Sequence, residues 1–335
     1  MALGSRHASV HARKPGSTPG VATKPHEADQ AAGHDENSDN DDSAGLELEL
    51  HEELAIGVFA LPGLRTTFMA DQLELEAGLT DTFSLSVSGG ITHFLATSQL
   101  AAANMLSFGM GASWSVSQQL ELGLNLHGAP TLTFSDVSTD PADPGTFESS
   151  LSALGGDLSA EYTPTHARHS AFALQLGVSL GLTRYGMRER FIEAESGVTS
   201  ELSTDLWQGR GTLACTLSVR ERTELTLAGS YYAYYGASNV GVTPVLVGGV
   251  PFEPLLYAVR PTLAQRIGRF QVAAHGQYAG YAAALGHSWN AGLEAHWSAT
   301  DTFSISTEVE LTQASYTDAT RFALYHTSLA VTLAL

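Results

Sequence analysis

Acidic side chains recur at two-residue spacing in segments whose intervening residues are apolar. Glu74 and Glu76 flank Leu75, and Glu308 and Glu310 follow the same spacing. Successive side chains of a β-strand point to opposite faces, so residues two apart share one face and lie close together. Ionised carboxylates held side by side in a confined, partly desolvated space attract cations and repel anions. The spacing therefore predicts a cation-attracting surface built on strands.

The same alternation assigns a larger set of charged residues to this face. Acids outnumber bases in the set, so the predicted surface is strongly negative. The alternative is that these groups hydrogen-bond to one another and fill the space that they line. The residues predicted to line the inner face are Glu74, Glu76, Glu121, Asp157, Glu161, Arg210, Arg260, Glu294, Glu308 and Glu310.

Histidine and carboxylate residues are also concentrated near the N-terminus. His34, Asp35, Asp39 and Asp41 combine imidazole and carboxylate groups, a donor set that divalent metals accept. The odd-numbered acids of this run resemble a calcium loop, but Asn40 stands where such a loop needs glycine. A solvated acidic tail is the favoured interpretation. We therefore predict no metal site and no other cofactor.

No arrangement for catalysis stands out among the remaining residues. The serines follow the strand alternation, and no nucleophile elbow is evident. Cys215 is the sole cysteine, which excludes an internal disulfide and a cysteine-rich zinc site. Four histidines share the face of the acids and are predicted to be lone polar wall residues and not ligands: His127, His275, His296 and His326. We predict a protein that is not an enzyme. The least favoured alternative is a hydrolase with its active site at the rim of a β-barrel, the fold predicted below.

The overall charge limits the classes of partner. The chain of 335 residues has 35 acidic and 16 basic residues, a formal net charge of −19. Nucleic-acid binding needs a basic surface that displaces counterions, so nucleic acid is excluded as a partner. Only 15% of the residues are charged, well below the roughly 25% of an average soluble domain.

The first 45 residues differ in composition from the rest. Proline and glycine interrupt the region, and 27–42 is almost wholly polar, so it cannot bury enough apolar surface to offset its chain entropy. We predict a disordered arm over 1–45 and a structured region over 46–335. The beginning of the chain shows no apolar run typical of an export signal. A mature form, a start placed too late, and a chain that is not exported all remain open.

From about Leu46 onward, apolar residues alternate with small polar ones at period two. The pattern is clearest in 73–79, 83–91, 120–126, 172–180, 303–311 and 329–335. Alternation of this length indicates β-strands and not helices. The stretches 82–120 and 225–252 contain no charged residue, although the strands of soluble sheets usually carry charges on their wet face.

Long segments that are apolar on one face and small-polar on the other are typical of transmembrane β-barrels. A strand in lipid must pair all its backbone groups, which only a closed sheet allows. The turn signals predict about 14 strands, with a first strand near 52–60 and a long charged loop over 186–203. We therefore predict an all-β fold, an antiparallel up-and-down barrel, with a soluble sandwich as the alternative.

In this pattern the sequence resembles bacterial outer-membrane β-barrel proteins of broadly porin-like architecture. Their last strand carries an insertion signal of alternating apolar residues that ends in an aromatic residue. Tyr325, Leu329, Val331 and Leu333 match the alternation, although Leu335 replaces the final aromatic residue. The resemblance covers 54–335 and identifies no single family. It implies a place in the outer membrane, with membrane lipids as partners.

The predicted function is a passive, cation-preferring pore for small solutes, because the inner face is acidic. The alternative is a structural or export component of the cell envelope. In that alternative the barrel is an anchor or conduit, and the N-terminal arm contacts an envelope protein.

Overall fold

The computed structural model of the chain describes residues from Glu47 to Leu335 apart from short segments. Residues 1–46 lie outside the described part, and with them the predicted arm and its metal candidates His34, Asp35, Asp39 and Asp41. The other segments outside it are 62–63, 97–102, 139–144, 165–171, 194–196, 198, 221, 237–244, 248–249, 253–254, 283–284 and 317–320.

Sixteen β-strands follow one another along the described chain. Apart from two short ones they have 12 or more residues, and about 9 to 11 tilted residues suffice to cross a bilayer. The strands are β1 (Glu47–Leu61), β2 (Leu64–Thr80), β3 (Phe83–Phe94), β4 (Ala103–Ser115), β5 (Leu120–Ser138), β6 (Gly145–Tyr162), β7 (Phe172–Glu193), β8 (Thr199–Val219), β9 (Thr223–Tyr235), β10 (Val245–Val247), β11 (Val250–Phe252), β12 (Leu255–Ile267), β13 (Phe270–Tyr281), β14 (Gly286–Ser298), β15 (Phe303–Tyr316) and β16 (Arg321–Ala334).

Fourteen of these strands form one closed sheet. Strands pair antiparallel with their neighbours in sequence, except that β9 pairs with β12 and that β1 pairs with β16 to close the barrel. β10 and β11 form a separate two-stranded sheet in the link between β9 and β12. Among the described residues, no helix is long and apolar enough to cross a membrane. The predicted antiparallel barrel of about 14 strands is confirmed.

Tight polar turns join the strands at one end of the barrel. In the turn between β4 and β5, the hydroxyl of Ser117 accepts hydrogen bonds from the backbone N–H groups of Gln119 and Leu120. In the turn between β12 and β13, Gly268 has a φ of 63°, a left-handed conformation that glycine adopts without steric cost. The chain also reverses direction in the short segments 80–82, 117–119, 266–269 and 299–302.

Contacts between strands that are not neighbours identify the inner face. Arg210 on β8 reaches across β7 to Asp157 on β6, and His275 on β13 reaches across β14 to Glu310 on β15. A closed sheet is concave on its inside, so side chains of strands two apart converge there. These residues therefore point into the barrel.

The strand pairings extend this inward assignment from β15 through β16 to β1 and β2, because directly paired residues of an antiparallel sheet share a face. Glu310 pairs with His326 on β16, and His326 pairs with Gly57 on β1. Gly57 in turn pairs with Phe68 on β2. The odd-numbered residues of β1 and the even-numbered residues of β2 consequently face inward.

The opposite phase of the strands is apolar and exposed. Leu158, Leu180 and Leu213 are 63%, 65% and 69% exposed on this outer face. Aromatic rings lie on it at both ends of the strands, with Trp114 in the turn-end row and Tyr235 beside the longest link. An apolar outer band with aromatic ends is the surface that a bilayer requires of a barrel.

Two carboxylates interrupt the apolar outer phase on neighbouring strands. Glu52 on β1 pairs with Leu73, and Asp71 on β2 pairs with Leu54. Both acids are exposed, as are the two leucines. Strands β1 and β2 therefore carry acids on both faces of the sheet.

The first strand and the charged loop were predicted wrongly at their ends. β1 begins at Glu47, five residues earlier than the predicted start. The predicted loop over 186–203 is instead an extension of β7 and β8, with only a short link between them. The charges are accommodated because they form cross-strand ion pairs on the outer face. These pairs are Arg184 with Asp205, Arg188 with Glu201, and Arg190 with Glu148.

We expect the folded protein to be heat-modifiable. Closure pairs the backbone groups of every barrel strand, so detergent alone should not open the sheet. Boiled and unboiled samples should migrate differently on a denaturing gel, and β-type circular dichroism should persist in detergent. A monodisperse, stable protein in buffer without detergent would contradict a membrane barrel.

We also expect a chain that begins at Leu46 to refold like the full chain. β1 begins at Glu47, so the deletion leaves every strand pairing of the barrel intact. The gel shift of the unboiled sample measures the folded fraction. Failure of the shortened chain to show that shift, under conditions in which the full chain shows it, would mean that the arm is needed for folding.

Candidate functional site

The residues predicted to line the interior all lie on the inward phase of their strands. The structure distributes them around the wall in three groups and one further carboxylate pair, which differ in how their negative charge is balanced. They are Glu74 and Glu76 on β2, Glu121 on β5, Asp157 and Glu161 on β6, Arg210 on β8, Arg260 on β12, Glu294 on β14, and Glu308 and Glu310 on β15. Their role in lining a pore remains a prediction.

The first group is an arginine-balanced cluster of His127, Asp157 and Arg210. A guanidinium nitrogen of Arg210 donates a hydrogen bond of 2.6 Å to Asp157 Oδ1. His127 Nδ1 lies 3.6 Å from the other carboxylate oxygen, Oδ2. The Asp157 side chain is 15% exposed, so these two side chains, and not water, are its main polar partners. The cluster carries little net charge.

An inward glycine makes room for the ion pair. Gly181 on β7 pairs with Asp157 on one side and with Arg210 on the other. A Cβ atom at Gly181 would lie 1.9 Å from Asp157 Oδ1, closer than any two such atoms approach. The carboxylate therefore crosses β7 over bare backbone, which only glycine allows here.

The second group is a histidine–glutamate cluster of His275, Glu308 and Glu310. His275 Nε2 lies 3.4 Å from Glu308 Oε1 and 3.2 Å from Glu310 Oε2. The imidazole is 1% exposed, whereas the two carboxylates are 19% and 14% exposed. One nitrogen and two carboxylate oxygens all lie within 4.8 Å of one another. The prediction that His127 and His275 are lone wall residues is wrong, because each contacts a carboxylate.

The histidine ring of the second group crosses the intervening strand, β14, at a glycine. Gly292 on β14 pairs with both His275 and Glu310. A Cβ atom at Gly292 would lie 2.3 Å from His275 Nε2. The missing side chain is therefore what lets the ring cross β14 and meet the carboxylates of β15.

Neighbouring groups orient and partly balance this cluster. The hydroxyl of Thr312 donates a hydrogen bond of 3.1 Å to Glu310 Oε1. Arg260 on β12 is close enough to interact electrostatically with both glutamates, and His326 interacts with Glu310. Glu294 on β14 pairs directly with Glu308. The structure thus brings four of the predicted wall residues, Arg260, Glu294, Glu308 and Glu310, into one region.

The third group is an acidic wall of five glutamates on β1 and β2: Glu47, Glu49, Glu53, Glu74 and Glu76. Glu49 pairs directly with Glu76. The described inward residues of β1, β2 and the adjoining β16 and β3 include no lysine or arginine. The inward arginines lie on β8 and β12. Negative charge is therefore concentrated on this side of the barrel.

Two further predicted residues form a carboxylate pair on β5 and β6. Glu121 pairs directly with Glu161. The side-chain amide of Gln175 on β7 donates a hydrogen bond of 2.5 Å to Glu161 Oε2. An uncharged donor lowers the cost of placing two carboxylates side by side without removing their charge.

Sequence reasoning missed several inward charges near the turn end of the barrel. Glu47 and Glu49 were missed because the first strand was predicted to begin at 52, although Leu48 and Leu50 already continue the alternation. Glu53 lies within the predicted strand and was not assigned to a face. Glu224 on β9 and Arg266 on β12 were missed because they lie next to predicted turns. A small cavity there is lined by Arg222, Glu224, Ala264, Arg266 and Gln271.

A Gly-x-Ser-x-Gly spacing occurs at 177–181, although it was not singled out as catalytic. The string lies inside β7, where Ser179 pairs with Ser159 and Thr212. A nucleophile elbow needs a sharp turn from a strand into a helix. A serine in mid-strand does not meet that requirement, so the string is part of the wall.

The wall changes character toward the end of the barrel that carries the longer links. Phe68 and Phe94 are buried there, with ring centroids 6.0 Å apart. Tyr281 and Tyr316 stack with ring centroids 5.3 Å apart. Leu324, which pairs with Thr312 on β15, is also buried. All these side chains have the inward phase. This end of the interior therefore contains a group of aromatic and apolar side chains.

Comparisons with known proteins support the fold. No protein-family profile and no curated protein matches the sequence. The structure is similar to the CymD monoaromatic hydrocarbon channel, with a TM-score of 0.55, 11% identity, and coverage of 86% of this chain and 88% of that chain.

Two other channel structures give similar values. For the Pseudomonas putida toluene transporter TodX, the TM-score is 0.51 at 12% identity, covering 87% of this chain and 89% of that chain. For a Pseudomonas aeruginosa FadL homologue, it is 0.52 at 9% identity, covering 86% and 89%. Identities this low carry a likeness of fold. The chain has the closed-barrel architecture of bacterial outer-membrane β-barrel proteins, as the sequence pattern predicted.

Proposed function

We propose that the protein forms a passive channel for small solutes across a bacterial outer membrane and that it prefers cations. The apolar outer band and the likeness to outer-membrane channels support the membrane placement. The acidic wall on β1 and β2 is the observation that carries the cation preference, because its five carboxylates have no inward lysine or arginine on their own or adjoining described strands.

The size of the barrel favours an interior wider than its side chains can fill. About eight strands enclose an interior that side chains just fill, and barrels of 16 to 18 strands leave an aqueous channel. Fourteen strands lie between these limits. Cations that enter such a space meet a row of carboxylates on one side, and the negative potential of that row raises their local concentration.

We expect the Glu74→Gln, Glu76→Gln double variant to lose part of its cation preference. The variant removes two of the five charges of the acidic wall and keeps side-chain size. Reversal potentials in a salt gradient across a planar bilayer measure the preference. The preference should also shrink from 0.1 M to 1 M salt, because the Debye length falls from about 10 Å to about 3 Å.

A matched control lies on the other face of the same two strands. The Glu52→Gln, Asp71→Asn double variant removes the same charge from the outward phase and should leave the reversal potential unchanged. Equal effects of the two double variants would refute control by the inner wall. Anion preference of the unaltered protein would refute the proposed selectivity. A folded barrel that conducts no ions would refute the channel and favour the envelope anchor or conduit.

The aromatic end of the interior favours a second candidate, a channel for small aromatic solutes. The matching structures include a monoaromatic hydrocarbon channel and a toluene transporter. In this chain, Phe68 and Phe94 supply inward apolar surface of the kind that such a solute would contact. Saturation-transfer NMR with toluene should show contact that the Phe94→Ser variant loses, and an unchanged signal would refute this candidate.

A further inference from the structure

We propose that the histidine–glutamate cluster of His275, Glu308 and Glu310 is a binding site for a divalent transition-metal cation of the zinc type. Imidazole nitrogen together with carboxylate oxygen is a donor set that Zn²⁺ accepts. The three side chains come from two strands, β13 and β15, that are not neighbours. The site therefore forms only when both strands are paired with β14, which lies between them.

The distances between donor atoms fit a tetrahedral metal. Ligands held at about 2.0 to 2.1 Å around a tetrahedral Zn²⁺ are about 3.3 to 3.4 Å from one another. His275 Nε2 lies 3.4 Å from Glu308 Oε1 and 3.2 Å from Glu310 Oε2. Two edges of the tetrahedron are thus already present. Three protein ligands leave the fourth position to water.

Two residues that are not metal ligands, Gly292 and Thr312, determine where the ligand atoms lie. Gly292 leaves the space that the imidazole ring occupies, since a Cβ atom there would be 2.3 Å from His275 Nε2. Thr312 holds Glu310 through its other oxygen, Oε1, and leaves Oε2 facing the histidine. Outer hydrogen bonds of this kind orient metal ligands and raise affinity.

The charges around the cluster balance with one divalent cation. Glu308, Glu310 and the directly paired Glu294 contribute three negative charges, and Arg260 contributes one positive charge. With neutral histidine, the region keeps two negative charges, which one Zn²⁺ neutralises. The buried side-chain oxygen of Asn290, two residues from Gly292 on the inner phase, has no hydrogen-bond partner among the described residues. It offers a further acceptor beside the site.

The arginine-balanced cluster shows what the same residue types do without a metal. There Arg210 occupies Asp157 Oδ1 at 2.6 Å, and His127 is 3.6 Å from the remaining oxygen. A single carboxylate that is already paired with a guanidinium provides too few ligand atoms for a metal site. His127 therefore serves as the matched control for His275, because both are inward histidines beside a carboxylate.

Binding at this site does not require conduction. It is measured in detergent with no ion flow, so a barrel that fails as a channel can still bind metal. A barrel that conducts can equally fail to bind it. The acidic-wall variants that test selectivity also leave all three proposed ligands intact.

Calorimetric titration of Zn²⁺ into the refolded full chain in detergent tests the proposal. We expect His275→Ala to lose one binding site per chain and Glu310→Gln to weaken that site at least tenfold. His127→Ala should keep the site, and so should a His34→Ala, Asp35→Asn variant of the N-terminal arm. An excess of Mg²⁺ should not compete, because Mg²⁺ prefers six oxygen ligands. The gel shift of unboiled samples confirms that each variant is folded.

Two results would overturn the proposal. One is Zn²⁺ binding that is absent from the unaltered chain, or unchanged by His275→Ala. The other is zinc X-ray absorption of the unaltered chain, at one Zn²⁺ per chain, that shows two or more imidazoles or none. This second measurement needs no variant, so it decides the question even if His275→Ala does not fold. One imidazole with oxygen ligands is the expected spectrum.

Discussion

The rest of the structure depends on one constraint, the pairing of every backbone N–H and C=O group of a sheet that has lipid on its outside. Lipid offers no hydrogen bonds, so an open edge is not tolerated and the sheet must close. β1 meets β16 over a long register that runs from Glu49 with Ala334 to Ala60 with Ala323. Once the sheet is closed, the pleat has only two environments, and charge is stable mainly on the inner one.

Closure also brings together residues that pairing alone keeps apart. On the concave side, side chains of strands two apart converge, provided that the strand between them carries a glycine at the crossing point. Gly181 allows Asp157 to meet Arg210, and Gly292 allows His275 to meet Glu310. The two clusters thus have the same architecture and differ in the available cation: a guanidinium completes the first, and the second has more carboxylates than its arginine can balance.

The outer face carries charged residues where the strands extend beyond the apolar band. β7 and β8 continue to Glu193 and from Thr199, and their outward phase there carries ion pairs such as Arg188 with Glu201 at 2.8 Å. Charges that lipid would reject are acceptable on the same strands once they face water. Charge in a strand therefore reports the depth of a residue as well as its face.

Sequence alone determined the strand class, the closed barrel, the approximate strand number and the inward phase of Glu74, Glu308 and the other predicted wall residues, because period-two alternation is a local property. It could not show where strands end once they leave the apolar band, which is why the extended β7 and β8 were predicted as a loop. Only the tertiary structure decided which inward residues meet. His275 and Glu310 are 35 positions apart in the chain, and their contact depends on barrel curvature and on Gly292, neither of which strand periodicity encodes.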